Sequence, residues 1–221
     1  VFGASFNEDW QVVHSWTEQL EGIAAFRGTK YVQSLIGDVY HHVRCFLKQN
    51  RWVLFSGTPC QVAGLKHFLR IDYERLLTDD VVCHGVPSPM AWKAYVEYRA
   101  KTDNEGKLPC YINLRSKCTG WSKYQYSNVF GYKDGNVHSA LSSQSLFMKL
   151  FVGDYISRRS CSECKFKGYN RVSDITLGDF WGIWDIYSEM DDNKGTSVVL
   201  LQSQKGKQLW NEIKDQLIFK K

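Results

Sequence analysis

Apolar positions along the first hundred residues alternate between two periods, one of short extended runs and one of helical spacing. Runs at Val1–Phe6, Gln11–Ser15 and 52–55 read as strands, and "LLTDDVVC" as another at about 77–83. Between them, Val32, Leu35, Ile36, Val39, Val43 and Leu47 fall on one face of a helix predicted to start near Thr29. Val62, Leu65 and Leu69 mark a second helix after the breakers Gly57 and Pro59, with Cys60 as its first residue, and Trp92, Tyr95, Val96 and Arg99 a third from Pro89 to about Lys101. Repetition of strand, turn and helix predicts the mixed α/β class, with a mainly parallel sheet flanked by helices. Ligand-binding loops of such sheets lie at the carboxyl ends of the strands.

From 108 to 140 the pattern changes. Tyr124, Tyr126, Phe130 and Tyr132 alternate with polar residues and lead into Asp134-Gly135, a hairpin signal, so an antiparallel hairpin insertion is expected there. A helix near 142–152, a short strand and glycine turn in "SDITLGDFWGIWD", a buried strand in "TSVVLLQ" and a terminal amphipathic helix on Leu209, Ile213 and Leu217 complete the chain. Residues 1–221 are thus expected to form one α/β domain. Because "VFGASF" opens as a strand already under way, the chain reads as a fragment of something longer.

The chain of 221 residues is long enough to bury a genuine core, and 14% aromatic content, with eight Trp, argues against disorder. Its 28 basic and 23 acidic side chains are interspersed, so the net charge of +5 forms no basic stripe for nucleic acid. No apolar run exceeds four residues, which excludes a membrane-spanning helix, and the start lacks a signal peptide's pattern. The expected setting is cytoplasmic. There, seven cysteines point to metal or redox chemistry before disulfides.

Cys60 and Cys83 follow consecutive strands, so a parallel sheet brings them side by side. Cys161 and Cys164 form a C-x-x-C, read alone as a zinc knuckle, a dithiol redox pair or half of an iron-sulfur site. Together the four thiols match the number that closes a 4Fe-4S cluster or a tetrahedral zinc, and spacing leaves both open. Arg158, Arg159, Lys165, Lys167 and Arg171 offset thiolate charge or hold an anionic group. Cys45 belongs on a helix and in the core; Cys110 and Cys118 are spare thiols. "RGTKYVQS" places Thr29 and Lys30 at a predicted helix start, suited to phosphate or, more simply, to an ordinary cap. "LGDFWG" offers a turn where a flat ring can approach the backbone, or a plain turn with core aromatics. His84, beside Cys83, suits proton transfer or a structural role.

"FRGTKYVQS", "VLFSGTPCQVAGLKHFL", "LLTDDVVCHGVPSP" and "CSECKFKGYNRVSDITLGDFWGIW", in this order, resemble the C-terminal domain of the coenzyme F420 hydrogenase/dehydrogenase beta-subunit family. The resemblance implies an electron-transfer iron-sulfur flavoprotein with one FAD and one 4Fe-4S cluster held by Cys60, Cys83, Cys161 and Cys164. It implies FAD near Thr29, Lys30, Tyr31 and Ser34, near Gly57, Thr58 and Gln61, and near Gly178 and Asp179. Thr29 stands where the family has Ser, a change that keeps the hydroxyl. The partner implied is a redox protein or an upstream ferredoxin-like domain, with a small-molecule electron acceptor also compatible. The alternative is a noncatalytic structural or assembly module whose four cysteines hold zinc or nothing.

Overall fold

The computed structural model describes residues 1–221, except the side chain of Lys123. Six strands form one sheet: β1 (Phe2–Phe6), β2 (Val12–Trp16), β3 (Val53–Gly57), β4 (Leu76–Val81), β8 (Ile175–Asp179) and β9 (Ser197–Leu201), in the order β2-β1-β3-β4-β8-β9. β1, β3, β4 and β8 run parallel, and β2 and β9 close the two edges antiparallel. The mainly parallel sheet expected from the alternating periods is present. The insertion is a separate antiparallel sheet of three strands, β5 (Tyr111–Ser116), β6 (Ser127–Gly131) and β7 (Val137–Leu141), turning at Gly135 with φ +90°.

Among the described residues seven α-helices accompany the sheets: α1 (Val39–Lys48), α2 (Pro59–Leu69), α3 (Pro89–Asn104), α4 (Leu146–Val152), α5 (Arg159–Ser162), α6 (Ile183–Ile186) and α7 (Gln204–Ile213). Local chemistry starts several of them. Ser88 Oγ accepts from Met90 N–H ahead of Pro89 at the head of α3, and Ser203 Oγ accepts from Gly206 N–H to start α7. α3 buries Trp92, Tyr95, Val96 and Arg99, the positions its period marked.

Two cores hold the layers. One packs Val53, Phe55 and Leu76 of the sheet against Val39, Val43 and Leu47 of α1 and Val62 and Leu65 of α2. The other joins α3, α4, Leu114 and Phe130 with the β2 end of the main sheet, so the insertion shares its core with the rest of the fold. Among the described residues no helix is long and apolar enough to cross a membrane.

Several local expectations fail, among them the buried strand in "TSVVLLQ", which is β9, a half-buried edge strand. The helix predicted from Thr29 begins only at Val39, because the chain ahead of it is drawn into the sheet. Leu35 bridges Val13, its N–H donates to Val12 O, and its carbonyl accepts from His14 N–H; Gly37 at φ +54° then ends the extended stretch. Tertiary pairing overrides the helical period. Cys45 is exposed rather than core. It lies two residues from buried Val43, a rotation of about 200° at 100° per residue, and faces the opposite side of α1.

Candidate functional site

The carboxyl ends of β3 and β4 carry the first two cysteines. Gly57 pairs with Asp80 in the parallel register, and Cys60 and Cys83 each lie three residues beyond that pair. Thr58 turns the chain into α2: Gln61 Oε1 accepts from Thr58 N–H at 3.0 Å, and Pro59 occupies the first turn. Cys60, the second residue of α2 rather than the first, has its Sγ 3.1 Å from Thr58 Oγ1.

The C-x-x-C reaches this end of the sheet through backbone pairing. Pro87 bridges Ser157, Arg158 N–H donates to Val86 O at 2.8 Å and Ser88 N–H donates to Ile156 O at 3.1 Å, fixing the segment before α5 beside the loop after Cys83. Cys60, Cys83, Cys161 and Cys164 then line one recess, with Lys167 and Arg171 in its wall. Burial pushes the Cys83 thiol up to about 11, with the neighbouring charges of Cys60 and Cys161 adding to the shift. All four thiols are free. Among the described residues no group of three or more His, Cys, Asp or Glu side chains is drawn together tightly enough for a single ion. Four soft thiols with two cations, Lys167 and Arg171, in the wall are the donor set of a thiolate-ligated metal centre carrying net negative charge, a single zinc or an iron-sulfur cluster.

Seven of the nine residues predicted to lie near flavin fall into two sets. Ser34, Thr58 and Gln61 form a chain with His14, which sequence reasoning missed: Gln61 Nε2 donates to Ser34 Oγ at 2.7 Å, and Ser34 meets His14 Nδ1 at 2.8 Å. His14 Nε2 lies 3.0 Å from Ser56 O, which can only accept. Nε2 therefore carries the proton, Ser34 donates to Nδ1, and burial holds the His14 pKa below its ordinary value. Gly57 ends β3 beside this chain.

Thr29, Tyr31 and Asp179 gather instead around Arg115, another residue without a sequence signal. Arg115 donates to Asp179 Oδ2 at 2.7 Å and to Thr29 Oγ1 at 3.3 Å. Its guanidinium lies 4.3 Å from the Trp121 ring centre and 5.3 Å from that of Tyr126, with Tyr31 and Trp181 each at 5.9 Å. Its Nε is buried without a partner among the described residues. An orphaned donor among aromatic faces fits a flat ring with acceptor atoms at its edge.

The remaining two predicted contacts, Lys30 and Gly178, lie in neither set. Lys30 is in no helix; its Nζ donates to the carbonyls of Ala25, Arg27 and Gly28, and burial lowers its pKa to about 8. Gly178 is required by packing, since a Cβ there would sit 2.8 Å from Val82 Cγ2. His84 lines the recess and places Nε2 3.2 Å from Asp154 Oδ1.

Among solved structures, the chain is similar to one in the F420-reducing NiFe hydrogenase complex from Methanosarcina barkeri, at 17% identity and a TM-score of 0.60, covering 97% of this chain. It spans 66% of that chain's length. At that identity the likeness establishes the fold. No curated protein matches the chain. The family model for the C terminus of the beta subunit of coenzyme F420 hydrogenase/dehydrogenase matches residues 50–221, which leaves "FRGTKYVQS" outside the matched span, and by that match the chain belongs to this family.

Proposed function

We propose that the protein is an electron-transfer iron-sulfur flavoprotein, an oxidoreductase in which Cys60, Cys83, Cys161 and Cys164 hold a 4Fe-4S cluster. The observation that carries this reading is the lining of one recess by all four cysteines, delivered from two strand ends and a distant C-x-x-C. Membership of a hydrogenase/dehydrogenase family supports the redox class. FAD is the second cofactor, and when bound it exchanges electrons in pairs as hydride equivalents. Arg115 with Thr29, Tyr31 and Asp179, and the Ser34–Gln61–Thr58 chain, are the residues that would hold and orient it. Lys30 and Gly178 would act through the loop and the strand they support.

The electron partner is a redox protein or a ferredoxin-like domain, in keeping with the similar chain's place in a hydrogenase complex; a small molecule would serve as acceptor. The test is anaerobic reconstitution with iron, sulfide and FAD, followed by analysis of all three and an absorbance spectrum before and after dithionite. The expected result is iron and sulfide in equal amounts, bound flavin, and bleaching on reduction. A folded protein that takes up neither cluster nor flavin overturns the reading, and one zinc without flavin favours the noncatalytic assembly module.

A further inference from the structure

Of the five basic residues around the C-x-x-C, one differs from the rest. Arg158, Arg159, Lys165 and Lys167 are exposed, so water and salt screen their charge. The Arg171 side chain is only 9% exposed and lines the thiol recess. Its Nε donates to Gly168 O at 2.7 Å, while Nη1 is buried without a hydrogen-bond partner among the described residues. Behind it, off the recess wall, stands Asp80 of β4, fully buried, with neither carboxylate oxygen hydrogen-bonded among the described residues. The two side chains face each other at 3.9 Å, Nη1 to Oδ2.

A buried carboxylate with no donors and a buried guanidinium with a free N–H stand at the limit of ion-pair distance. That arrangement is poorly explained as a stability device, because buried pairs offset their desolvation only with close, hydrogen-bonded geometry. It is explained if the guanidinium's second counter-charge belongs in the recess.

We infer that Arg171 is the buried counter-charge of the thiol recess, and that Asp80 is a positioning residue that holds it there and sets how much of its positive charge the recess receives. This rests on the proposed function. A cluster ligated by four thiolates is anionic, and one-electron reduction makes it more so. A nearby fixed cation therefore favours the reduced form and a nearby anion opposes it. Arg171 raises the potential and Asp80 lowers it.

The experiment is a spectroelectrochemical titration of the reconstituted holoprotein, with Arg171→Met, Arg171→Lys, Asp80→Asn and the double variant Asp80→Asn/Arg171→Met. Arg171→Met is expected to lower the cluster midpoint by the equivalent of at least tenfold in the one-electron equilibrium, 59 mV. Asp80→Asn is expected to raise it, and Arg171→Lys to stay closer to wild type than the methionine. The double variant removes both charges, leaves no unpaired buried ion if Arg171→Met alone fails to fold, and is expected to fall above Arg171→Met or, without it, below Asp80→Asn. Opposite shifts from the two single changes separate a charge effect from simple loosening of the loop, which moves both the same way. A wild-type cluster whose midpoint is unmoved by the variants, or moved in one direction by both, overturns the inference and leaves the function standing. A wild-type protein that takes up no cluster overturns both.

Discussion

Replacing Asp174 with alanine tests how the strand that leads to Cys83 is held. Asp174 is 1% exposed and sits just before β8, where its Oδ2 accepts from Thr78 N–H and Thr78 O–H of β4, each at 2.8 Å. Its Oδ1 accepts from Ser203 O–H, the cap of α7, at 2.6 Å. Asp174→Ala leaves both Thr78 donors without the carboxylate on a residue with no exposure, while half-buried Ser203 turns toward water. A buried donor left unpaired costs about 1–3 kcal/mol, so the pair on Thr78 sets a loss of about 2–6 kcal/mol. Against a total stability of about 5–15 kcal/mol, that is a large fraction. Urea unfolding followed by tryptophan fluorescence and far-ultraviolet circular dichroism reads it as a lower midpoint at unchanged slope. Ser203→Ala, which removes one bond and the α7 cap, is the smaller comparison at about 1 kcal/mol. A loss below about 1 kcal/mol for Asp174→Ala would refute the reasoning, since it would mean the buried Thr78 donors find other partners at no cost.

Two further outcomes follow from the same geometry. Burial raises the Asp79 pKa from 3.8 to about 6, against the opposing hydrogen bond from Ser56 Oγ, so the folded state binds this proton more tightly than the unfolded chain. Its contribution is fully present below about pH 4 and is lost as pH rises to about 6; Asp79→Asn should flatten that part of the stability–pH curve and raise stability at pH 7, read by urea midpoints between pH 4 and 7. Cys83→Ala should abolish iron uptake while the sheet remains, whereas Cys45→Ala, on the exposed face of α1, should change neither iron content nor the unfolding midpoint by more than about 0.5 kcal/mol.

What was legible in the sequence was what local chemistry decides. α3 could be placed because Ser88-Pro89 caps it and Trp92, Tyr95 and Val96 carry its period, and β3 and β4 because their apolar runs end at Gly57 and Pro59 and at Gly85 and Pro87. The four cysteines were legible by type, and two of them by their place after consecutive strands. Hidden from the sequence was whatever depends on distant pairing. The start of α1 moved because Leu35 pairs with β2. The approach of the C-x-x-C to Cys83 depends on the Pro87–Ser157 bridge, and no periodicity encodes it. Arg115 looks like any polar residue of an alternating strand until the fold stacks Trp121 and Tyr126 beside it. Asp80 reads as one of two adjacent acids, and only burial distinguishes it from Asp79, whose Oδ2 accepts from Ser56.

Sulfurs 60, 83, 161 and 164 surrounding one polynuclear centre is the claim on which the functional account stands. Metal K-edge X-ray absorption of the anaerobically prepared protein reads that centre directly. The account predicts an iron edge with an all-sulfur first shell and iron–iron scattering beyond it. A zinc edge with sulfur at about 2.3 Å and no metal–metal scattering, or the absence of any bound metal after reconstitution, would contradict it.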